Sequence, residues 1–505
     1  MDIEPGSILM SDDVDGLFQL KNGKYILSEE LSEKMFHIKE AAPEIPNPAQ
    51  HDPYTQDEFG MATLFSECYM NDTRYCTEAK TWYTYENGVW KKDLGSSLVS
   101  NKIKEFYALM RYYCAEIPDY KVSKDYMTFI AKMGDRRFRE RMMKDAADCM
   151  RISASEFDKY PYLINCQNGT YDLKALQFRE HDWRDFLTMQ TNFEYTVRTD
   201  VTCERWLHFI DEVTEGDKDK ASFLQRALGY SMIGKANEEC MFILHGKTTR
   251  NGKSTLLDAI NHLLGDYSTQ APVELICKTD RAKSTENASP VLARLKGKRM
   301  VTMSESDAGG KLDEEIIKQY TGGEEITARE LYQMPITFLP QFTMWLSCND
   351  LPAVHDRSLF ASSRLKVIEF NRHFTEAEQD KGLKDYFRTQ EAMRGIFSWL
   401  VDGYFLYLRF GLTMSDSLKS VVKQYEKDND LVVQFLEDKC EVDPDGWTSA
   451  KSLYDNYKIW CTQNGYFKCS AKKFNAAIRE HAEWYHGEHK SHGLNGYEAI
   501  KYREV

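Results

Sequence analysis

Apolar and polar positions fall into blocks of different period along the chain, and the blocks outline its organisation. Residues 1–58 are acidic and carry Pro43, Pro46, Pro48 and Pro53, which reads as an appendage and linker. From Met61 the patterning tightens. Aromatic stretches flank Asn87-Gly88 between Trp82 and Trp90, a hairpin signal whose rings are expected to pack a core rather than stack on bases. Residues 98–150 have helical spacing. One helix there carries Arg136, Arg137, Arg139, Arg141 and Lys144, either a solvated face or one that tracks phosphates. A second hairpin signal surrounds Asn168-Gly169, and a helical stretch follows from Cys203 to Gly234.

Between 236 and 372 short apolar runs alternate with helical stretches, which predicts an α/β core. Strands are expected at Met241–Leu244, Arg299–Glu305, Phe342–Asn349 and Leu365–Phe370. Residues 375–430 return to a helical period. The tail from 431 shows two helices, around Leu453–Cys461 and Lys472–His481, and then a strand-like end carrying Asn495-Gly496. That order predicts a winged helix with Lys472, Lys473 and Arg479 available to phosphates, or else a protein-contact module.

The first core strand runs into Gly246-Lys247-Thr248-Thr249-Arg250-Asn251-Gly252-Lys253-Ser254-Thr255. Gly-x-x-x-x-Gly-Lys-Ser between a strand and a helix is a phosphate-binding loop. Its glycines let backbone N–H groups converge on a phosphate. Lys253 offers a charge to the β- and γ-phosphates, and Ser254 a hydroxyl to Mg²⁺. ATP and Mg²⁺ are therefore the expected cofactors. The second strand ends in Ser304-Glu305, and a carboxylate there would polarise the attacking water. Magnesium is then held by Ser254, water and Glu305, or with help from Asp307. The third strand ends at Asn349, whose amide can bond both the γ-phosphate and the water. Arg364, just before the fourth strand, reads as a finger inserted into a neighbouring subunit's site, or as a surface ion-pair partner. Lys318 and Arg329 flank Thr321-Gly322-Gly323, in a segment reaching Phe338. It reads as a hairpin meeting a DNA strand in the bore of a ring, or as an ordinary connection.

Composition narrows the picture. Hydrophobic residues make up 42% and charged residues 29%, ordinary for a globular protein of several domains. The first residues are acidic and lack the apolar centre of a signal peptide, and no run is long enough to span a bilayer. The twelve cysteines include no Cys-x-x-Cys pair, so reduced thiols in a host cytoplasm are the expectation. A net charge of −14 excludes a basic coat, yet leaves room for a basic channel.

The motifs, in this order, resemble superfamily 3 helicases, specifically the helicase part of the phage and plasmid primase-helicase family, which is also similar to the poxvirus primase-helicase. The resemblance rests on Leu224-Gln-Arg with Gly229-Tyr230, the loop through Thr255, Leu264-Gly265-Asp-Tyr267, Gly297-Lys298-Arg299, Ser304-Glu305, Thr321-Gly322-Gly323, Ala328-Arg329, Phe338 with Pro340, and Asn349 with Pro352. It covers roughly residues 60–375. It implies an AAA+-like P-loop core at 201–374, preceded by an α+β domain at 59–200. A helical lid at 375–430 and a winged-helix-like module at 431–505 would follow. It also implies a hexameric, ATP-driven helicase of a phage, plasmid or other mobile element, acting on single-stranded or forked DNA beside a separate primase or polymerase. An origin-binding initiator and a ring ATPase that remodels protein complexes are the competing expectations. Two departures stand out. Thr248 replaces a usual loop glycine, and Ser363-Arg364 leaves one arginine where the family often has two. Primase activity is not expected, because residues 1–58 are too few to build that fold.

Overall fold

The computed structural model describes residues 18–21, 24–27, 54–196, 202–278, 289–304, 310–329, 335–354, 358–466, 468–491 and 493–503. The chain divides into two units, Met1–Thr199 with Leu263–Tyr267, and Asp200–His262 with Ser268–Val505.

In the first unit, helices Glu58–Tyr69, Ser97–Glu116, Tyr120–Ile130 and Arg136–Cys149 close around Met61, Phe65, Phe106, Ile130 and Met142. Strands Thr81–Glu86 and Val89–Asp93 pair antiparallel. Asn87 and Gly88 between them have φ of 51° and 79°. A two-residue turn with both φ positive matches the twist of the flanking strands, and Asn-Gly adopts it readily. Trp82 and Trp90 are buried, and the Trp90 indole donates to the Trp183 carbonyl (2.8 Å), so these rings belong to a core. In the next hairpin Cys166 pairs with Gly169, which makes Gln167-Asn168 the loop, one residue earlier than the Asn168-Gly169 signal places it. The arginine-rich helix spends much of its charge internally. Arg136 pairs with Glu140, Arg141 with Glu58, and Arg139 donates to the carbonyls of Met133 and Gly134. Among these cations the solvated-face reading gains ground.

The second unit is organised on five strands: β1 (Met241–His245), β2 (Ser268–Gln270), β3 (Met300–Ser304), β4 (Thr343–Cys348) and β5 (Leu365–Glu369). They hydrogen-bond in the order β2-β3-β4-β1-β5, and every pairing is parallel. β1 is buried at all five positions. Continuous apolar runs such as Met-Phe-Ile-Leu suit a sheet covered on both faces, which is where parallel strands occur. Parallel pairing brings the C-terminal ends of the strands to one edge.

Helix Lys218–Tyr230, before β1, packs on helix Gln390–Phe410. The contact needs two glycines. A Cβ at Gly229 would lie 2.3 Å from the Tyr404 amide nitrogen, and one at Gly403 would lie 2.2 Å from the Gln225 carbonyl oxygen. Helix Asp416–Asp428 follows, with the Tyr425 hydroxyl donating to the Pro352 carbonyl (2.5 Å).

Residues beyond Asp430 form three helices, Leu431–Lys439, Ala450–Gln463 and Ala471–Glu480, against a sheet in which Leu494–Tyr502 lies between Cys440–Ser449 and Glu488–Ser491. Phe435, Tyr457 and Phe474 meet in its core. Of the three cations expected to face phosphates, Arg479 is instead held by both carboxylate oxygens of Glu488 (2.6 and 3.2 Å). Lys472 and Lys473 remain exposed.

Candidate active site

β1 ends at His245 between β4 and β5, in register with Cys348 and Glu369. The chain then turns back over the sheet edge and enters helix Lys253–Leu264. Two positions in the turn require left-handed backbone, Arg250 at φ 57° and Gly252 at φ 88°. Only glycine takes that conformation freely, and at 252 there is no room for more: a Cβ would lie 2.5 Å from Val213 Cγ1. A Cβ at Gly246 would meet the Phe370 carbonyl oxygen at 2.4 Å. The two motif glycines are therefore explained by close approach as well as by turning.

Within the loop, the buried Asn251 amide donates to the Thr248 carbonyl (2.5 Å) and the Gly246 carbonyl (3.4 Å). From outside, the segment after β5 supports it. The Phe374 amide donates to the Arg250 carbonyl (2.9 Å), and His373 Nδ1 lies 2.8 Å from the Thr249 carbonyl. A carbonyl can only accept, so Nδ1 carries the proton there. Lys247, Thr248 and Thr249 are exposed, as is Ser254 at the start of the helix, while Thr255 is half-buried.

Lys253 is 5% exposed. Its Nζ donates to the Gly246 carbonyl (2.9 Å) and to Asn349 Oδ1 (3.0 Å). Burial pushes its pKa below the usual lysine value, since desolvation disfavours the cation. Two residues 96 positions apart are thereby joined at the same sheet edge. Beneath them, His245 is buried with its Nδ1 lacking a hydrogen-bond partner and Glu369 Oε1 3.9 Å away. Burial first, and then Lys253 and Lys247, lower the His245 pKa, and Glu369 opposes them. The imidazole is neutral near pH 7. Asn251, expected within the phosphate-binding loop, braces the loop itself, whereas His245 and His373 belong to no motif read from the sequence.

The remaining expected residues are placed elsewhere. β3 ends at Ser304, opposite Ser347 of β4, and Glu305 and Asp307 lie outside the described residues. Arg364 precedes β5, whose first residue pairs with Met241, so it stands at the opposite edge of the sheet, roughly 16 Å of strand from the loop. Its guanidinium bonds Thr321 Oγ1 (2.6 Å) and Glu239 Oε2 (2.6 Å) within the chain. Lys318 is half-buried on helix Glu314–Thr321, and Arg329 is exposed just after strand Ile326–Ala328. That strand pairs antiparallel with Ile336–Phe338. The residues between Arg329 and Pro335 lie outside the described ones.

The loop fits a nucleotide phosphate by its own chemistry. It offers a tight turn that only glycine fits at 246 and 252, and a buried amine whose present partners are neutral oxygens. Of the residues expected to hold magnesium, Ser254 stands exposed at the helix start, and Glu305 lies outside the described residues.

Three family models match the chain. "D5 N terminal like" covers residues 62–215, "Family of unknown function (DUF5906)" covers 244–364, and "Poxvirus D5 protein-like" covers 427–504. Among curated proteins, "Putative helicase L207/L206" of Acanthamoeba polyphaga mimivirus is 29% identical over 68% of this chain and 38% of its own length. "Primase D5" of fowlpox virus is 24% identical over 54% of the chain and 35% of its own length. The chain resembles the poxvirus D5 primase-helicases. "Putative helicase 022R" of frog virus 3 is 24% identical over 49% of this chain. The chain spans 38%, 35% and 27% of the lengths of these three relatives. The apo structure of the NrS-1 C-terminal region aligns with 88% of the chain and all of its own, at 11% identity and a TM-score of 0.47. Among the described residues, no helix is long and apolar enough to cross a membrane.

Proposed function

We propose that this chain carries the ATPase of a viral replication helicase of the superfamily 3 type, which assembles as a hexameric ring and moves along single-stranded or forked DNA. The observation that supports this most directly is the Lys253 amine, buried and bonded to Gly246 and Asn349 where the parallel strands end. Ligands of parallel α/β sheets bind at that edge. Residues 246–255 would hold the phosphates of ATP, and Ser254 with Glu305 would hold Mg²⁺, which when bound offsets charge on the transferring phosphoryl group. Lys253 would exchange its neutral partners for phosphate oxygens. Asn349, released from Lys253, would orient water, and Glu305 would accept its proton. Arg364 would act on the site of a neighbouring subunit, and Lys318 and Arg329 would contact the DNA backbone. In an infected cell the enzyme would work in the cytoplasm, beside a primase or polymerase.

The test is ATP hydrolysis by the purified chain with and without single-stranded DNA, and strand displacement on a forked duplex, with Glu305→Gln as control. Stimulated hydrolysis and ATP-dependent displacement, both lost in Glu305→Gln while nucleotide binding persists, are expected. Hydrolysis indifferent to DNA would overturn the helicase reading.

A further inference from the structure

Arg364 is held from two directions. Glu239, from the turn before β1, takes its Nη2 through Oε2 (2.6 Å) and its Nη1 more loosely through the backbone carbonyl (3.4 Å). Thr321 takes Nη1 through its hydroxyl oxygen at 2.6 Å. The guanidinium side chain is 15% exposed and Thr321 only 3%.

The Thr321 hydroxyl has one hydrogen, and it goes to the Ile317 carbonyl one turn back (2.7 Å). The helix thus fixes the direction in which the oxygen can accept, and the arginine meets it there. Thr321 is also the last residue of the helix that carries Lys318. After it come Gly322, Gly323 at φ 74°, and the strand that leads to Arg329. Helix Glu314–Thr321 is itself anchored by Ile317 and Tyr320 in the core, so a force on the hairpin reaches its C-terminal end first. A shift of that end redirects the guanidinium plane, because a planar fork loses its bonds on small rotations.

We propose that Thr321 is a positioning residue for Arg364, and that through it the segment binding DNA sets where the arginine points. This rests on the readings of Arg364 as acting across a subunit boundary and of Lys318 and Arg329 as DNA contacts. Glu239 is the second hold: it keeps the charge compensated until the guanidinium is presented elsewhere. DNA held by one subunit and hydrolysis at its neighbour's site are then linked by a single side-chain hydrogen bond, a discrete contact rather than a diffuse path.

Three variants of the full chain test it: Thr321→Val, which keeps shape and loses the hydroxyl; Thr321→Ser, which keeps the hydroxyl; and Arg364→Ala. Each is measured for nucleotide affinity, single-stranded DNA affinity, and kcat and KM of hydrolysis with and without DNA. Thr321→Val is expected to bind both ligands within about twofold of the parent while DNA stimulation of kcat falls roughly fivefold or more, with KM unchanged. Thr321→Ser is expected to restore stimulation. Full stimulation in Thr321→Val, or equal loss in Val and Ser variants, overturns the positioning role. So does loss of stimulation that merely follows loss of DNA or nucleotide affinity. Normal hydrolysis by Arg364→Ala would sink the underlying reading instead. An impaired Arg364→Ala beside an unaffected Thr321→Val would sink the inference alone.

Discussion

At the C-terminal edge of the sheet, Lys253 is buried and finds its partners, Gly246 and Asn349, inside one chain; at the N-terminal edge, Arg364 leans on a carboxylate that is 57% exposed. The first arrangement is preorganised. Neutral oxygens hold the amine where phosphate oxygens could replace them, so binding a nucleotide would need little rearrangement. The second is looser on one side: Thr321 holds the guanidinium from a buried position, but the carboxylate of Glu239 is exposed and readily exchanged. A phosphate-binding edge preorganised within one chain and a cation with one exchangeable partner would suit a ring ATPase, whose sites are each finished by a neighbour.

The contrast breaks most sharply at Lys253. Lys253→Ala is expected to abolish ATP binding, measurable by titration with a fluorescent nucleotide, because the buried charge at the loop is gone. Retained affinity would mean that the backbone cradle suffices. Arg364→Ala is expected to bind ATP normally and to lower kcat by roughly a thousandfold, the range known for arginine fingers. Mixing Arg364→Ala with Lys253→Ala subunits should restore part of the activity, since some interfaces then combine an intact loop with an intact arginine. No recovery in mixtures shown to co-assemble would place the action of Arg364 within its own chain.

Asn349→Ala sharpens the preorganised side. Loss of the amide leaves the Lys253 amine with one partner and the water without an orienting group, so kcat is expected to fall roughly ten- to hundredfold with nucleotide affinity retained. A rise in Kd without a change in kcat would assign Asn349 to binding alone.

The chemistry at the two edges was legible to different degrees. Gly246, Gly252 and Lys253 declare themselves because a phosphate cradle permits few residue types at fixed spacing. The apolar runs of β1, β3, β4 and β5 show because burial on both faces leaves no polar alternation. Strand order is a different matter: β2 is three residues long, and nothing in Ser268-Thr-Gln270 distinguishes it from a loop. The roles of the loop's supports were less legible. Asn251 falls inside the motif, but its bonds and that of His373 go to backbone carbonyls, which leave no trace in side-chain types. The ion pair of Arg479 with Glu488 was hidden for a related reason, since it joins a helix to a strand whose placement spacing alone does not fix.

His245 tests how rigid the preorganised edge is. Its pKa is lowered in the fold, so the unfolded chain binds a proton more readily over the interval between the two values. Stability is therefore expected to decline as pH falls through about 6.5, the ordinary imidazole value, and to level off below the folded value. In denaturant melts between pH 7.5 and 5.5, His245→Gln should remove that part of the slope. An identical slope in the variant would assign it to other groups.

The smallest expected effect concerns the two cations nearest the looser edge. Lys318 sits half-buried on the helix ending at Thr321, and Arg329 stands exposed beyond the first hairpin strand. A cation that contacts a single-stranded phosphate releases a counterion, and each such contact adds roughly 0.7 to the slope of log affinity against log salt. Replacing either residue with alanine should flatten the slope by about that much per subunit engaged, and weaken binding by roughly two- to threefold over a fourfold range of salt. Basal hydrolysis should survive in both variants, because neither residue lies at the edge that holds Lys253. Arg329→Ala is expected to change the slope more than Lys318→Ala, since a half-buried amine gives up fewer ions on binding. Salt titrations of fluorescence anisotropy on labelled single-stranded DNA measure both slopes. Parent slopes in both variants would move the DNA contacts away from this segment, and Lys472 and Lys473, exposed on helix Ala471–Glu480, would be the next pair to replace.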